Sequence, residues 1–499
     1  MNRVLNSTCR CVCVCLLLLL LASPSAAQPA RPRLVVGIVV DQMRWDYLHT
    51  VAHRWGDNGF NRLLAQGYSC NNTMIDYLPT VTACGHASVY TGTTPAFHGI
   101  AGNDYMIDGI PVSSVKDTTV HGVGTTSRSG RRSPRNLLVT TLGDQFKLAT
   151  DGKARVVGIS LKDRAAILPA GHGADGAYWY DNSTHTFITS DYYCSSLPGW
   201  VEAFNRANST VLARDVWKEP DGVTVTFGLA RAALEAEHLG ADQVTDLLAV
   251  SISTTDAAAH TFGARSERVD SVYERLDREL AQFLSFLDEK VGQGNYLLFL
   301  TADHGGTYSE PHMRQMGITS GRWCSGKARD EANRELKERF GVDNLIKAEM
   351  EYSFYINNEA IAKAGLDRVA VKDAAIEALS RPREVMWVVD CERAMQTSIP
   401  AAIRERILLG WNSKRSGELF IMPVTGHYAS WDGDKSGSNH GTWSQSDSHI
   451  PLLFYGWHVP AGETPRLTHM TDIAPTVCAM LHIQAPDAAI GQPIVFEKY

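Results

Sequence analysis

Six side chains in this sequence have the types and spacing to hold divalent metal, and a cluster of hydroxyls accompanies them. Asp256 and His260, in DAAAH, stand four residues apart, so on a helical turn both reach the same face, a chelating arrangement. Asp303 and His304 stand side by side in ADHGG, where a glycine turn leaves both side chains free. Asp41 closes an apolar run, and His440 sits in the Gly/Ser-rich loop GSNHG. Three carboxylates and three imidazoles, with no thiolate among them, suit zinc ahead of manganese or another first-row ion. Taken singly, each has a plainer role: a strand-end aspartate caps a helix, and a lone histidine is a core hydrogen-bonder. The hydroxyls lie in DYLPTVTACGHASVYTG (residues 76–92), where Thr80, Thr82, Ser88 and Thr91 follow a proline and surround a glycine. Ser and Thr commonly cap helices, and the stretch alone does not separate a cap from a nucleophile.

The elements that must position these groups follow from hydropathy. LVVGIVVD (residues 34–41) is a continuous apolar run, rich in β-branched residues, that ends in an acid. Similar runs recur at 154–164, 246–256, 296–306 and 449–456. Such runs suit strands buried on both faces, as in a parallel sheet. Between them lie helical patterns, the clearest at 266–292, where Val269, Val272, Leu276, Leu280, Phe283 and Leu287 recur at three- and four-residue steps. Strands alternating with helices predict an α/β fold, a doubly wound and mostly parallel sheet sandwiched by helices. Open sheets of this type bind ligands at the carboxyl ends of their strands, so the polar residues closing these runs are aimed at one crevice. Residues 306–423 are more charged and less regular; they read as an insertion, with helical stretches at 330–340 and 371–379 and a strand-like MWVVD, placed as a cap over the site. The basic stretch GTTSRSGRRSPRN (residues 124–136) reads as a solvated loop.

Taken in order, Asp41, PTVTACGHASVYTG with the following HGIAGN, DAAAH, ADHGG and NHG resemble the alkaline phosphatase superfamily. Within it, they resemble the branch of type I phosphodiesterases and nucleotide pyrophosphatases, over nearly the whole mature chain. The resemblance implies two zinc ions and a Thr or Ser nucleophile, and the hydroxyl that aligns is Thr82 rather than Thr80. It further implies that Asp41, Asp303 and His304 ligate the zinc that also holds Thr82, and that Asp256, His260 and His440 ligate the second. Asn103, in HGIAGND, matches a phosphate-contacting asparagine. Lys162 and Arg164, in SLKDR, match a Lys-x-Arg pair of one subgroup, the bacterial phosphate-irrepressible alkaline phosphatases, which favour monoesters; diesterase members lack the pair. The implied activity is that of a di-zinc phosphomonoesterase working through a covalent phospho-threonine, with a phosphodiesterase or nucleotide pyrophosphatase as the alternative. The local chemistry agrees: Thr82 stands where a helix can begin, so backbone N–H groups and the helix dipole favour phosphoryl oxygens, and a dication lowers the pKa of a threonine hydroxyl. A sulfatase is excluded, because Cys84 in CGHAS lacks the Pro and Arg of the C/S-x-P-x-R motif. The Ser-dependent cytosolic phosphoglycerate mutases fit neither Thr82 nor the leader.

The chain has 499 residues, 44% of them hydrophobic, enough for a large core. Residues 1–27 read as a secretory signal peptide, with Arg3 and Arg10 ahead of an apolar run through Leu21 and then Ser25-Ala26-Ala27. The mature product, residues 28–499, is expected to start near Gln28, to be periplasmic or secreted, without a membrane anchor, and to act as a monomer. Loss of Arg3 and Arg10 leaves 45 basic against 54 acidic residues, a formal charge of −9, which argues against a nucleic-acid-binding surface. Any phosphate site must therefore be built from local positive charge. Cys70, Cys84, Cys194, Cys324, Cys391 and Cys478 remain in the mature chain, permitting up to three disulfides in an exported protein but no CxxC zinc ribbon.

Overall fold

The computed structural model describes residues 31–429 and 437–497; the expected leader at 1–27 lies outside the described residues. The chain forms β1 (Leu34–Val40), β2 (Tyr68–Met74), β3 (Val156–Ser160), β4 (Gly176–Asp181), β5 (Asp246–Ile252) and β6 (Tyr296–Thr301). An inserted segment adds β7 (Ile346–Met350), β8 (Ser353–Ile356), β9 (Val385–Asp390) and β10 (Leu419–Pro423), and the chain returns with β11 (Leu452–Gly456). The helices that matter below are α1 (Thr82–Thr91), α2 (Asp163–Ala170), α3 (Thr254–Phe262), α4 (Glu267–Leu287), α5 (Ser325–Phe340) and α6 (Arg368–Leu379).

Through the middle of an eleven-stranded sheet the neighbours run β2, β11, β6, β1, β5, β3, β4. β1 pairs in parallel with both β6 and β5, and the parallel ladder continues through β3 to β4. Every residue of β1, β3, β5 and β6 is buried, as their unbroken apolar runs require. The run expected at 449–456 behaves differently: β11 is antiparallel to β6 and to β2. A strand buried on both faces reads the same in either direction, so its hydropathy carried no sign of its sense. β2, with the mixed sequence YSCNNTM, gave no strand signal at all.

Helices cover the sheet. α4 is capped by the Ser266 hydroxyl, which accepts from Val269 N, and its Val269, Val272, Leu276, Leu280, Phe283 and Leu287 are all buried. Each such side chain contributes roughly 1.5–3 kcal/mol on burial. α1 is buried at all ten positions and ends at Gly92, whose φ of 65° suits a left-handed C-cap. At Gly85 a Cβ would lie 2.2 Å from the Asp303 carbonyl oxygen, so only glycine lets α1 sit against the end of β6.

The inserted segment carries a second sheet, in the order β7-β8-β10-β9 and antiparallel throughout. Its own apolar cluster includes Leu336 of α5, Phe354, Val371 and Leu379 of α6, and Ile421. The basic stretch at 124–136 is not simply solvated. Thr125 and Ser127 donate to Asp181, Trp179 Nε1 donates to the Ser129 carbonyl, and Arg132 pairs with Asp163 at 2.5 Å, so its polar groups satisfy buried partners behind β4 and α2. The six cysteines among the described residues are free, four of them buried. Among the described residues, no helix is long and apolar enough to cross a membrane.

Candidate active site

The sheet order assembles the site. Asp41 directly follows β1, and Asp303-His304 follow β6 after Ala302; α3, which carries Asp256 and His260, follows β5; Lys162 caps α2 after β3 and Arg164 lies in its first turn. β6, β1, β5 and β3 are consecutive neighbours, spaced about 4.8 Å apart, so their carboxyl ends open on one crevice. Thr82 is the first residue of α1, and Asn103 and His440 reach in from loops. A crevice of about 600 Å³ is lined by Thr82, Asn103, Lys162, Arg164, Asp256, His260 and His440, with Asp41, Asp303 and His304 fully buried at its floor. Every candidate residue named from the sequence is thus in one place.

Within it, bare lone pairs face one another. His304 Nδ1 lies 2.8 Å from the Gly305 carbonyl, His440 Nδ1 2.8 Å from the Thr80 carbonyl and His260 Nδ1 3.0 Å from the Ser438 carbonyl. A carbonyl oxygen only accepts, so Nδ1 carries the proton in each ring and Nε2 is turned inward. His304 Nε2 then lies 3.6 Å from Asp41 Oδ1 and 3.5 Å from Asp303 Oδ2. On the other side Asp256 Oδ1 lies 3.1 Å from His260 Nε2 and 3.6 Å from His440 Nε2. Those three carboxylate oxygens, Asp41 Oδ1, Asp303 Oδ2 and Asp256 Oδ1, are buried and receive no hydrogen bond. Burial holds His304 and His440 below the ordinary histidine range, which keeps their Nε2 lone pairs free. Burial opposes charge on His260 too, but the Asp256 carboxylate wins and lifts its pKa; a metal ion competes for that position with the proton. For Asp41, burial and the charge of Asp303 drive the carboxyl well above its usual range against the pull of Lys162. Three carboxylates around one ammonium are short of positive charge. The donor set therefore fits a divalent cation in each half.

Asp41, Asp303 and His304 form a tight group, and so do Asp256, His304 and His440, each with its ligand atoms within 4.8 Å of one another. His304 enters both because its ring stacks on that of His440, with centroids 3.7 Å apart. One imidazole nitrogen binds one ion, and the contacts of His304 Nε2 with Asp41, Asp303 and the Thr82 hydroxyl (3.4 Å) place it with the first group.

The cationic side chains divide the remaining work. The Lys162 ammonium donates to Asp41 Oδ2 at 2.7 Å, Asp256 Oδ2 at 2.6 Å and Thr82 Oγ at 3.2 Å, which engages all three of its protons. Burial works against its charge, yet Asp256 and Asp41 raise its pKa. Arg164 is different: its backbone N–H donates to Asp163, its Nη1 is 3.6 Å from the same carboxylate, and its buried Nε has no partner. Asn103 Oδ1 accepts from Ala83 N at 3.0 Å, which turns its amide NH2 away from α1.

Two contributors escaped the sequence reading. His86 lies four residues after Thr82 on α1; its Nδ1 donates to the Thr82 carbonyl at 2.8 Å, its Nε2 meets Ser251 Oγ at 2.7 Å, and its ring lies 3.2 Å from Asp303 Oδ2. Its signal was present in TACGHAS, at a helical spacing of four. Glu351, from the turn between β7 and β8, accepts from Asn103 N; nothing in its local sequence marks it.

Residues 35–443 match the model of the type I phosphodiesterase / nucleotide pyrophosphatase family. The alkaline phosphatase PafA of Elizabethkingia meningoseptica is 43% identical over 516 residues, covering 93% of this chain and 94% of that protein. A crystal structure of wild-type alkaline phosphatase PafA superposes with a TM-score of 0.90 at 42% identity, covering 94% of this chain and 99% of that one. The alkaline phosphatase PhoV of Synechococcus elongatus is 39% identical over 524 residues, with 93% and 92% covered. A Myroides odoratus protein named as a calcium-transporting ATPase is 41% identical over 517 residues, with 93% and 94% covered. Fold, site and sequence converge: this chain belongs to the type I phosphodiesterase / nucleotide pyrophosphatase family.

Proposed function

We propose that this protein is an exported alkaline phosphatase, which transfers the phosphoryl group of a phosphate monoester first to Thr82 and then to water. The observation that carries this reading is the placement of the Thr82 hydroxyl. It opens α1 on the crevice wall, 3.4 Å from His304 Nε2 and 3.2 Å from Lys162 Nζ. We assign Asp41, Asp303, His304 and Thr82 Oγ to one zinc ion, and Asp256, His260 and His440 to a second. Such ions, when bound, lower the pKa of a coordinated hydroxyl and neutralise charge on a departing oxygen.

The chain's own groups do the rest. Lys162 donates to Thr82 Oγ and so favours its alkoxide form. Thr82 Oγ attacks phosphorus in line, forming the Oγ–P bond as the ester P–O bond breaks. Asn103 and Arg164 hold the unesterified oxygens, and the amino end of α1 adds its dipole. Water then attacks the phospho-threonine from the opposite side, and Thr82 leaves into the same contacts. A monoester offers a doubly charged phosphoryl group and a diester a singly charged one, so the Arg164 guanidinium lining the crevice favours the monoester. The terminal phosphoryl of ATP is doubly charged as well, so the ATPase name of one relative falls within the same chemistry. The inserted sheet caps the crevice. Residues 1–27 direct the chain to the periplasm or the medium, where it acts as a monomer on small phosphate monoesters.

Thr82→Ala tests the assignment. It should bring aryl phosphate turnover to background while zinc is retained, since three protein ligands per ion remain, and Thr82→Ser should keep a substantial share. Full activity in Thr82→Ala overturns the reading.

A further inference from the structure

The inserted sheet reaches the crevice with the end of β7 and the turn that follows it. Met350 of β7 pairs with Ser353 of β8, which leaves Glu351 and Tyr352 as a two-residue connection. Both have positive φ, 48° and 72°, as a type I′ hairpin turn demands. Asn-Gly is the usual occupant; two non-glycine residues held there mark a place where surrounding contacts fix the backbone. Those contacts lie on both sides. The Glu351 carboxylate accepts Asn103 N–H with its two oxygens, at 3.0 and 2.8 Å. At the preceding Gly102 a Cβ would lie 2.3 Å from Glu351 Oε2, so the approach depends on glycine. Tyr352 accepts from Ala429 N at 2.8 Å and stacks on Trp323. Asn103 is therefore held by Glu351 through its backbone N–H and its side-chain amide, and by Ala83 N at Oδ1, with the amide NH2 at the edge of the crevice and one of its two protons left for a ligand.

We propose that Glu351 is a positioning residue through which the inserted sheet fixes Asn103, so that the Asn103 amide meets a phosphoryl oxygen. The proposal rests on the phosphatase reading above. Burial lifts the Glu351 carboxyl to about 8 despite the Asn103 bonds, and either protonation state keeps an oxygen able to accept. A glutamine at this position keeps an acceptor, and an alanine does not.

The test is a double-variant cycle on zinc-replete protein, read two ways: kcat/KM for an aryl phosphate monoester, and calorimetric affinity for inorganic phosphate. Glu351→Ala should lower both by about 10- to 100-fold, whereas Glu351→Gln should stay within about five-fold of wild type. In an Asn103→Ala background, Glu351→Ala should add less than about three-fold, because the group it positions is gone. Gly102→Ala, which displaces the carboxylate without deleting it, should match Glu351→Ala and guards against a folding defect peculiar to that variant. Losses that multiply in the double variant, or a Glu351→Gln as impaired as Glu351→Ala, overturn the proposal. A wild-type enzyme inactive on the monoester sinks the phosphatase reading alone, since the phosphate-affinity cycle still decides the role of Glu351.

Discussion

Arg164→Ala should separate the two cationic residues that follow β3. Lys162 has its three protons directed at Asp41, Asp256 and Thr82, so it acts on the nucleophile and the ligand carboxylates, which monoesters and diesters use alike. Arg164 lines the crevice with a quarter of its side chain exposed and has one carboxylate neighbour for its Nη1, Asp163 at 3.6 Å. Its planar fork is thus available to a second charged oxygen. A charge-assisted hydrogen bond contributes about 1.5–3 kcal/mol, or roughly ten- to a hundred-fold in rate. One or two such bonds made to the monoester's additional charge predict a loss of about 10²- to 10³-fold in monoester kcat/KM, with the diester changed by less than about five-fold. Lys162→Ala should instead depress both substrates. The assay compares an aryl phosphate with its methyl diester on the same zinc-loaded protein, with zinc content measured for each variant. If Arg164→Ala lowers both activities equally, or if Lys162→Ala alone narrows the ratio, this division of labour is refuted. A wild type that favours the diester removes the monoesterase reading altogether.

Two further outcomes follow from the floor of the site. In chelator-treated protein, Lys162→Ala should cost about 3–5 kcal/mol in urea unfolding, because buried carboxylates lose their one ammonium, while Arg164→Ala, which pairs only at 3.6 Å, should cost less than about 1 kcal/mol; equal midpoints for the two variants would refute the electrostatic account. Gly85→Ala should place a Cβ 2.2 Å from the Asp303 carbonyl and push α1 off β6, costing about 1–3 kcal/mol by overpacking and loosening zinc; wild-type zinc stoichiometry and thermal stability in that variant would contradict the claimed close approach.

What the sequence disclosed depended on the range of the interaction. Asp256 and His260 were legible because a helix puts positions four apart on one face, and α3 does so here. Asp41 and Asp303-His304 were legible because buried parallel strands announce themselves as apolar runs, and their carboxyl ends share a crevice. The direction of β11 was not legible, since a strand buried on both faces has no polarity in its hydropathy. Cysteine count alone allowed three disulfides, yet Cys70, Cys84, Cys391 and Cys478 are each buried and free, as small apolar side chains commonly are.

The site residues show the same limit more sharply. Lys162 could be named from SLKDR, but the aim of its ammonium is decided by Asp41, 121 residues away, and Asp256, 94 away. The sequence marks it as a phosphate contact, and here its ammonium lies against Asp41, Asp256 and the Thr82 hydroxyl at the edge of the crevice. Glu351 could not be named at all, because its bonds are to Asn103, 248 residues distant. Local sequence records only that a hairpin turns there without glycine, and that absence acquires meaning once Asn103 and Gly102 stand against it. An inserted sheet with its own core can tolerate a strained turn, because β7 and β8 pair on either side of it. The insertion thus lends its rigidity to the phosphate pocket through this turn, where the Glu351 carboxylate holds Asn103 and the Tyr352 hydroxyl reaches the His440 carbonyl at 3.4 Å.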